Sequence, residues 1–440
     1  MNHIALTSLN RAGSSIPNPV LQYDPIRAVA FNLSVGLVFL RFSMLHQVLA
    51  AVGVDLHLLY VVGIPALFGL LLAGGIQRAF RGRPAIYLVG FAVCIVMATP
   101  FSVWKGASAR LIVSYFRVDF IMLFVLAGLV VSWRDCKVVM WTIAWAATIN
   151  LLTARLFSKD FSDRTSGGVG SLGDPNDFAA HLLLVLPFLL WVTFTARSVA
   201  LRWVAILGVA YGCYVILGTG SRGGLVGMVA ALLLFLFRAT TAQRMTLIVA
   251  SPLAVIGMLS AVPSRTILRI TSFVVSADAS EEAIESRESR EYLLSKSIEY
   301  TIHYPLFGVG PGQFAEYEGR NNRLGGTTHG SWHETHNTFT QVSSECGIPA
   351  FLFFLAAIIS SFLLLNSTYR DVCTGEGCED MRAMVFCVML GMTGFCVSIF
   401  FLSFAYFYYV PALGGLAISV SCAAREELLS RNSVSVPVPV

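Results

Sequence analysis

The sequence predicts an all-α polytopic membrane protein of about twelve transmembrane helices with one large outer loop. Three observations carry that prediction. Of its 440 residues, 56% are apolar and only 12% charged, with a mean hydropathy of +0.72, far from the composition of a soluble globular chain. Apolar runs near the roughly 20 residues needed to span a bilayer recur along the chain. Lysine and arginine gather in short clusters between those runs, where membrane orientation is decided. The small net charge of +5, distributed in this way, points away from a nucleic-acid partner.

Taken in order, the first two dozen residues are polar and proline-broken, with no cleavable signal peptide, so the first span is expected to target itself. The spans are expected at about 28–47, 58–76, 85–100, 113–132, 138–156, 178–196, 203–219, 223–238, 245–262, 348–366, 382–400 and 405–422. Arg11, Arg27, Arg78, Arg81, Arg83, Arg134, Lys137, Arg197, Arg202, Arg238, Arg244, Arg370, Arg382, Arg425 and Arg431 then fall on one side. That side is read as cytoplasmic. The resulting division is a cytoplasmic tail 1–27, a membrane domain 28–262, a periplasmic loop 263–347, three final helices in 348–422 and a second cytoplasmic tail 423–440.

Among the outward connections, Trp104 and Lys105 suit an interfacial anchor. Phe157 to Asp177 is rich in turn formers and ends in Asp174-Pro175-Asn176-Asp177, with Asn176 or Asp177 expected to cap the sixth span. Thr219 to Gly224 is a tight turn carrying Arg222 at the start of the eighth span, where free N–H groups already favour an anion. The guanidinium adds a charged fork matched to phosphate, and its flanking glycines would admit a bulky ligand. The competing reading is an arginine snorkelling to headgroups.

The outer loop carries Arg287 and Arg290 in a run expected to be helical from Glu281 to about His303. Leu294, Ile298 and Ile302 recur every four residues, so that face is expected to lie on the membrane domain. The acids of the run could equally pair with both arginines at the helix surface. Further on stand His329, His333, Glu334 and His336-Asn337. Three histidines within eight residues invite a zinc reading, but their spacing fits no common site, and Cys373 and Cys378 lack a second pair. A near-neutral histidine is the usual group for removing a hydroxyl proton; the plainer reading is a histidine capping the next helix. On a continuous helix His336, Thr340 and Ser344 would share a face and Glu345 would point away. Within or near the spans, Arg41, Arg117, Asp119, Asn150 and His181 need partners or a cavity.

Together these residues resemble the O-antigen ligase and O-antigen polymerase superfamily of bacterial membrane glycosyltransferases. The likeness rests on Gly220-Ser221-Arg222-Gly223-Gly224, on Asp174 to Ala179, on Arg290 ahead of His303 to Gly310, and on His336-Asn337 followed by Glu345-Cys346-Gly347. It covers about 170 to 366. It implies a metal-independent, inverting transferase of GT-C type in the bacterial inner membrane, with its active site facing the periplasm and no cofactor. The implied donor is an undecaprenyl-diphosphate-linked glycan, drawn from the surrounding membrane lipid. The acceptor would be a lipid A-core (ligase) or another glycan (polymerase). Arg222 and Arg290 would hold the diphosphate, with Arg287 the rival for the second place, and His336 would deprotonate the acceptor. Asn337, Asn176, Asp177, His333 and Glu345 are the expected substrate-binding residues. A lipid-linked sugar transporter and a membrane scaffold are the readings from other classes.

Overall fold

The computed structural model describes residues 25–157, 164–168, 170–241, 244–245, 248–249, 257, 281–325, 332–375 and 377–434. Most of the expected ninth span, His329, Arg11 and most of the N-terminal tail lie outside the described residues, as do the side chains of Glu281, Glu282 and Glu285.

Eight helices among the described residues are long and apolar enough to cross a membrane: Pro25–Ser43, Arg83–Phe101, Lys105–Leu129, Trp133–Phe157, Pro175–Thr195, Val199–Gly218, Thr338–Cys373 and Glu379–Phe401. Three more expected spans are helical but shorter or less apolar, namely Leu58–Leu72, Arg222–Arg238 and Tyr409–Val434. At the centre Pro175–Thr195 and Glu379–Ser398 pack on each other, each with most of its surface buried. Val199–Gly218 and Arg222–Arg238 lean on that pair from outside.

The two ends of the bundle differ in chemistry. At one end the basic connections meet acids and carbonyls of their neighbours: Arg27 bonds Asp135 at 3.0 Å, Lys137 bonds Asp380 at 3.0 Å, and Arg78 bonds the Gly128 carbonyl at 2.7 Å. Arg431 reaches the Gly377 carbonyl at 2.9 Å, so the last helix belongs to the same group. At the opposite end lie the starts of the helices that carry the expected site residues.

Two devices build that second end. The outer helix Glu281–His303 packs on Thr338–Cys373, and the turn after it is stitched to a break in the latter. Val309 N donates to Ser344 O, Gly310 N to Glu345 O and Ile348 N to Pro305 O, at 2.7 to 2.9 Å. Gly347 leaves the helix at φ +85°, and a Cβ there would sit 2.3 Å from the Leu306 carbonyl. Gly308, at φ +62°, presses equally close to the Glu345 backbone, so only glycine serves at either place. The second device is the connection from Ile399 to Tyr408. The last helix starts at Tyr409 rather than near 405, because 402–408 folds inward to bond its neighbours.

The outer helix sits the other way round from expectation. Leu293, Ser297 and Tyr300 are fully or nearly buried, whereas Leu294, Ile298 and Ile302 are exposed. Tyr300 and Tyr292 both donate to the buried Glu318 carboxylate, which makes the 293/297/300 face the one that packs. Spacing by four marked a real apolar stripe but could not say which of two apolar stripes points inward.

Candidate functional site

His336 lies in the short segment just before Thr338, in the left-handed region at φ +49°. It is not on the helix, so the expected face shared with Thr340 and Ser344 does not form. Asn337 makes the cap instead: its side-chain carbonyl accepts from Phe339 N at 2.9 Å and Thr340 N at 3.1 Å. The segment is pinned from the far end of the chain. His336 N donates to Ser403 Oγ at 3.0 Å, Thr338 Oγ1 donates to the Leu402 carbonyl at 2.7 Å, and Ala405 N donates to Gln341 Oε1 at 3.1 Å. Strained backbone persists where its surroundings hold it; here three hydrogen bonds to 402–405 do so.

Around the His336 ring stand Arg290, His333 and Asp174. Partial burial, then repulsion from Arg290 and His333, push its pKa down to about 4, with Asp174 opposing. The imidazole is therefore neutral at physiological pH, with a free lone pair. Glu334, exposed beside it, accepts a hydrogen bond from Ser403 and lies within electrostatic reach of Asp177. Arg290 is partly buried and close enough to act on His336. Arg287 points elsewhere: it is exposed and bonds Glu291 at 2.7 Å across one helical turn.

Arg222 opens its helix, with Ser221 as the cap accepting from Gly224 N at 3.1 Å. The glycines here serve helix packing rather than ligand approach. A Cβ on Gly223 would meet the Phe401 ring at 2.9 Å, one on Gly224 the Ala179 methyl at 2.7 Å, and one on Gly227 the Ser398 hydroxyl at 2.3 Å. That closeness places the start of the Arg222 helix against Phe401, two residues before the Ser403 that holds His336. The 399–403 connection thus stands between the Arg222 turn and the His336 segment.

The sixth expected span is capped by Asp174, not by Asn176 or Asp177: Asp174 Oδ1 accepts from Asn176 N at 2.6 Å and Asp177 N at 3.3 Å. The Asn176 side chain is instead held by Arg164, whose Nη2 donates to Asn176 Oδ1 at 3.0 Å and whose Nε donates to the Thr219 carbonyl at 2.7 Å. Arg164 therefore ties the Asp174–Asp177 turn to the Arg222 turn. Sequence reasoning passed it over because one arginine in a Gly/Ser-rich connection carries no periodic signal. Ser403 was missed for a similar reason, a lone serine among aromatics.

Glu345 is buried, and with His336 off the helix the expected phase between the two does not apply. Its carboxylate accepts from Gly312 N at 2.9 Å, Phe314 N at 3.1 Å and the Tyr406 hydroxyl at 2.7 Å. It positions the 310–314 turn against the 402–408 connection. The charges inside the bundle also find protein partners. Asp119 pairs with Arg41, whose guanidinium lies 4.3 Å over the Tyr408 ring, and Arg117 lies over Tyr60. His181 is bonded to Asn150, to the Phe42 carbonyl and to Tyr409. Arg117 and Asp119 do have separate partners, as their spacing requires. Among the described residues, no group of three His, Cys, Asp or Glu side chains is placed to hold a metal ion.

One end of the bundle thus gathers Arg290, His333, Asp174 and His336, joined through 399–403 to Arg222. It sets a neutral imidazole beside the Arg290 guanidinium, groups whose chemistry suits a hydroxyl proton and an anion respectively. No curated protein matches the chain. A protein-family model does, over residues 207–355, about a third of the chain, and its description is O-antigen ligase. The matched stretch includes Arg222, Arg290, His336, Asn337 and Glu345 and stops before the 399–408 connection that holds them.

Proposed function

We propose, from the match of residues 207–355 to the O-antigen ligase family model, that this protein transfers a glycan from an undecaprenyl-diphosphate carrier to an acceptor hydroxyl. The observation that supports this most is the pairing of a neutral, partly buried His336 with Arg290 beside it. In this reading the donor's diphosphate lies between Arg222 and Arg290, and its tail remains in the bilayer. Bidentate guanidinium contacts match phosphate oxygens, and fixed cations lower the cost of charge developing on the leaving group.

The transfer is a single displacement at the anomeric carbon. The acceptor oxygen forms the new bond as the carbon–oxygen bond to the diphosphate breaks, with inversion. The hydroxyl proton passes to the free lone pair of His336. A diphosphate on Arg290 also removes much of the repulsion on His336, so the histidine becomes a better base only once the donor is bound. Asp177, Asn176 and His333 line the approach as sugar-binding groups, and Asn337 and Glu345 fix the position of the histidine and the adjoining turn. The site faces the periplasm, with the basic end of the bundle in the cytoplasm.

The acceptor in this reading is a lipid A-core, making the protein a ligase; a polymerase would use the growing glycan itself. Liposomes containing the protein and lipid-linked glycan, with and without lipid A-core, separate the two. Product only with lipid A-core supports the ligase, and a ladder of longer glycans without it supports the polymerase. Absence of transfer from several donors, with His336→Ala indistinguishable from the parent, would overturn the transferase reading and bring lipid-linked sugar transport forward.

A further inference from the structure

The exposed stripe of the outer helix has a geometry that points to its partner. Leu294, Ile298 and Ile302 are 38, 47 and 70% exposed, and Leu306, in the turn that follows, is 63% exposed. Continued toward the N-terminus with helical spacing, the same side carries Glu291 and Arg287, which pair with each other in solvent. The stripe is therefore polar at the Arg287 end and apolar at the Leu306 end.

The Leu306 end meets the membrane-spanning surface. Pro305 O accepts from Ile348 N at 2.7 Å, and the Phe307 ring stacks on Phe101 at 4.2 Å. Phe101 ends one candidate span, and Ile348 lies where Thr338–Cys373 resumes after its break. Phe101, Ile348 and Leu352 are exposed as well, so the apolar surface runs from the flank of the bundle through Leu306 and up the outer helix. Trp104, exposed on the connection that bonds Val309, adds the kind of aromatic found at a bilayer boundary.

We propose that this edge of the outer helix rests in the lipid leaflet. The helix lies inclined on the membrane, with Leu306 and Ile302 deepest, Ile298 shallower, Leu294 at the surface and Arg287 in water. Amphipathic helices of this kind bury their apolar side by about 5–10 Å into the headgroup–acyl boundary. An exposed apolar face next to the apolar flank of the bundle is the kind of surface that marks a membrane contact. Neither the surface nor its partner depends on the transferase reading. What it adds is a lipid anchor for the helix that carries Arg290.

The test uses the full-length protein in phospholipid nanodiscs, with p-benzoylphenylalanine placed singly at 287, 294, 298, 302 or 306. After illumination, phospholipid adducts are counted by mass spectrometry. If the stripe lies in lipid at that depth, adducts at 302 and 306 exceed those at 287 by about five-fold or more, with 298 between. Lipid adducts at 302 and 306 no more frequent than at 287 overturn the proposal, and so do chain-to-chain adducts as the main product, which would assign the stripe to a second copy. Ile302→Trp gives an independent reading: brominated lipid acyl chains should quench its added emission, and full accessibility to aqueous iodide without bromine quenching would refute the leaflet contact.

Discussion

His336 owes its low pKa first to burial and then to Arg290 and His333, with Asp174 pulling the other way, so groups from separate parts of the chain act on one ring. Its folded pKa of about 4 lies below the ordinary 6.5, so the unfolded chain takes up a proton that the folded one refuses. The histidine's neutral form is then fully in place above 6.5, and its contribution to stability is lost as pH falls from 6.5 toward 4. In the free enzyme, kcat/KM should stay flat from pH 8 to 6 on account of this group and fall only well below 6. Arg290→Gln should move that acid limb to higher pH, because the repulsion that depresses the histidine is gone; an unmoved limb would separate the two residues. His336→Ala should lower transfer by about 100-fold or more, the usual contribution of a general base, measured in the liposome assay. At this scale the sequence offered candidate residues and little about their contacts. The histidine and both arginines could be singled out by type and setting, and Arg290 preferred over Arg287 by resemblance. Arg164, Asp174 and Ser403 act through backbone and side-chain bonds to distant residues, and spacing along a chain does not encode those.

At the scale of elements, the sequence carried helix existence well and helix ends badly. The turn motif His303 to Gly310 and the Glu345-Cys346-Gly347 triplet are two halves of one joint, which is why both contain glycine where backbone meets backbone. Gly347→Ala places a methyl in the left-handed region and against a carbonyl. It should cost on the order of 1–3 kcal/mol, read as a lower unfolding temperature together with reduced transfer. The cap of Pro175–Thr195 is a milder case. Asp174→Ala should cost about 0.5–2 kcal/mol, whereas Asp174→Asn should retain most of it in thermal unfolding. The outer helix showed the limit of periodicity. Leu293/Ser297/Tyr300 and Leu294/Ile298/Ile302 are both plausible inner faces, and burial was decided by Glu318, a carboxylate on another helix that two tyrosines could reach.

For the molecule as a whole, hydropathy and the placement of arginine and lysine were enough to separate its two ends. Among the described residues eight helices are long and apolar enough to span, while Arg222–Arg238, close to the expected 223–238, and Leu58–Leu72 are shorter. The basic end carries an exposed cysteine, Cys373, next to Arg370 on the same helix. If that end is cytoplasmic, a membrane-impermeant maleimide should leave Cys373 unlabelled in intact cells and label it after permeabilisation. The exposed Arg320, replaced by cysteine, should react in cells whose outer membrane alone is opened. The reverse pattern would invert the topology.

The hold that 402–408 keeps on the histidine segment also sets a timetable for the making of the protein. Ser403 follows His336 by 67 residues, and Tyr406 follows Glu345 by 61. At about 5–20 residues per second of synthesis, several seconds pass in which the ribosome has delivered the histidine but not its clasp. For most of that interval, once residue 355 is made, the nascent chain carries the whole family-matched stretch and still lacks the contacts that fix His336 in place. A chain released before its final hairpin is inserted would lack the hydrogen bonds from 402–405 that hold the His336 segment, so the order of synthesis makes that segment the last part of the bundle to be fixed.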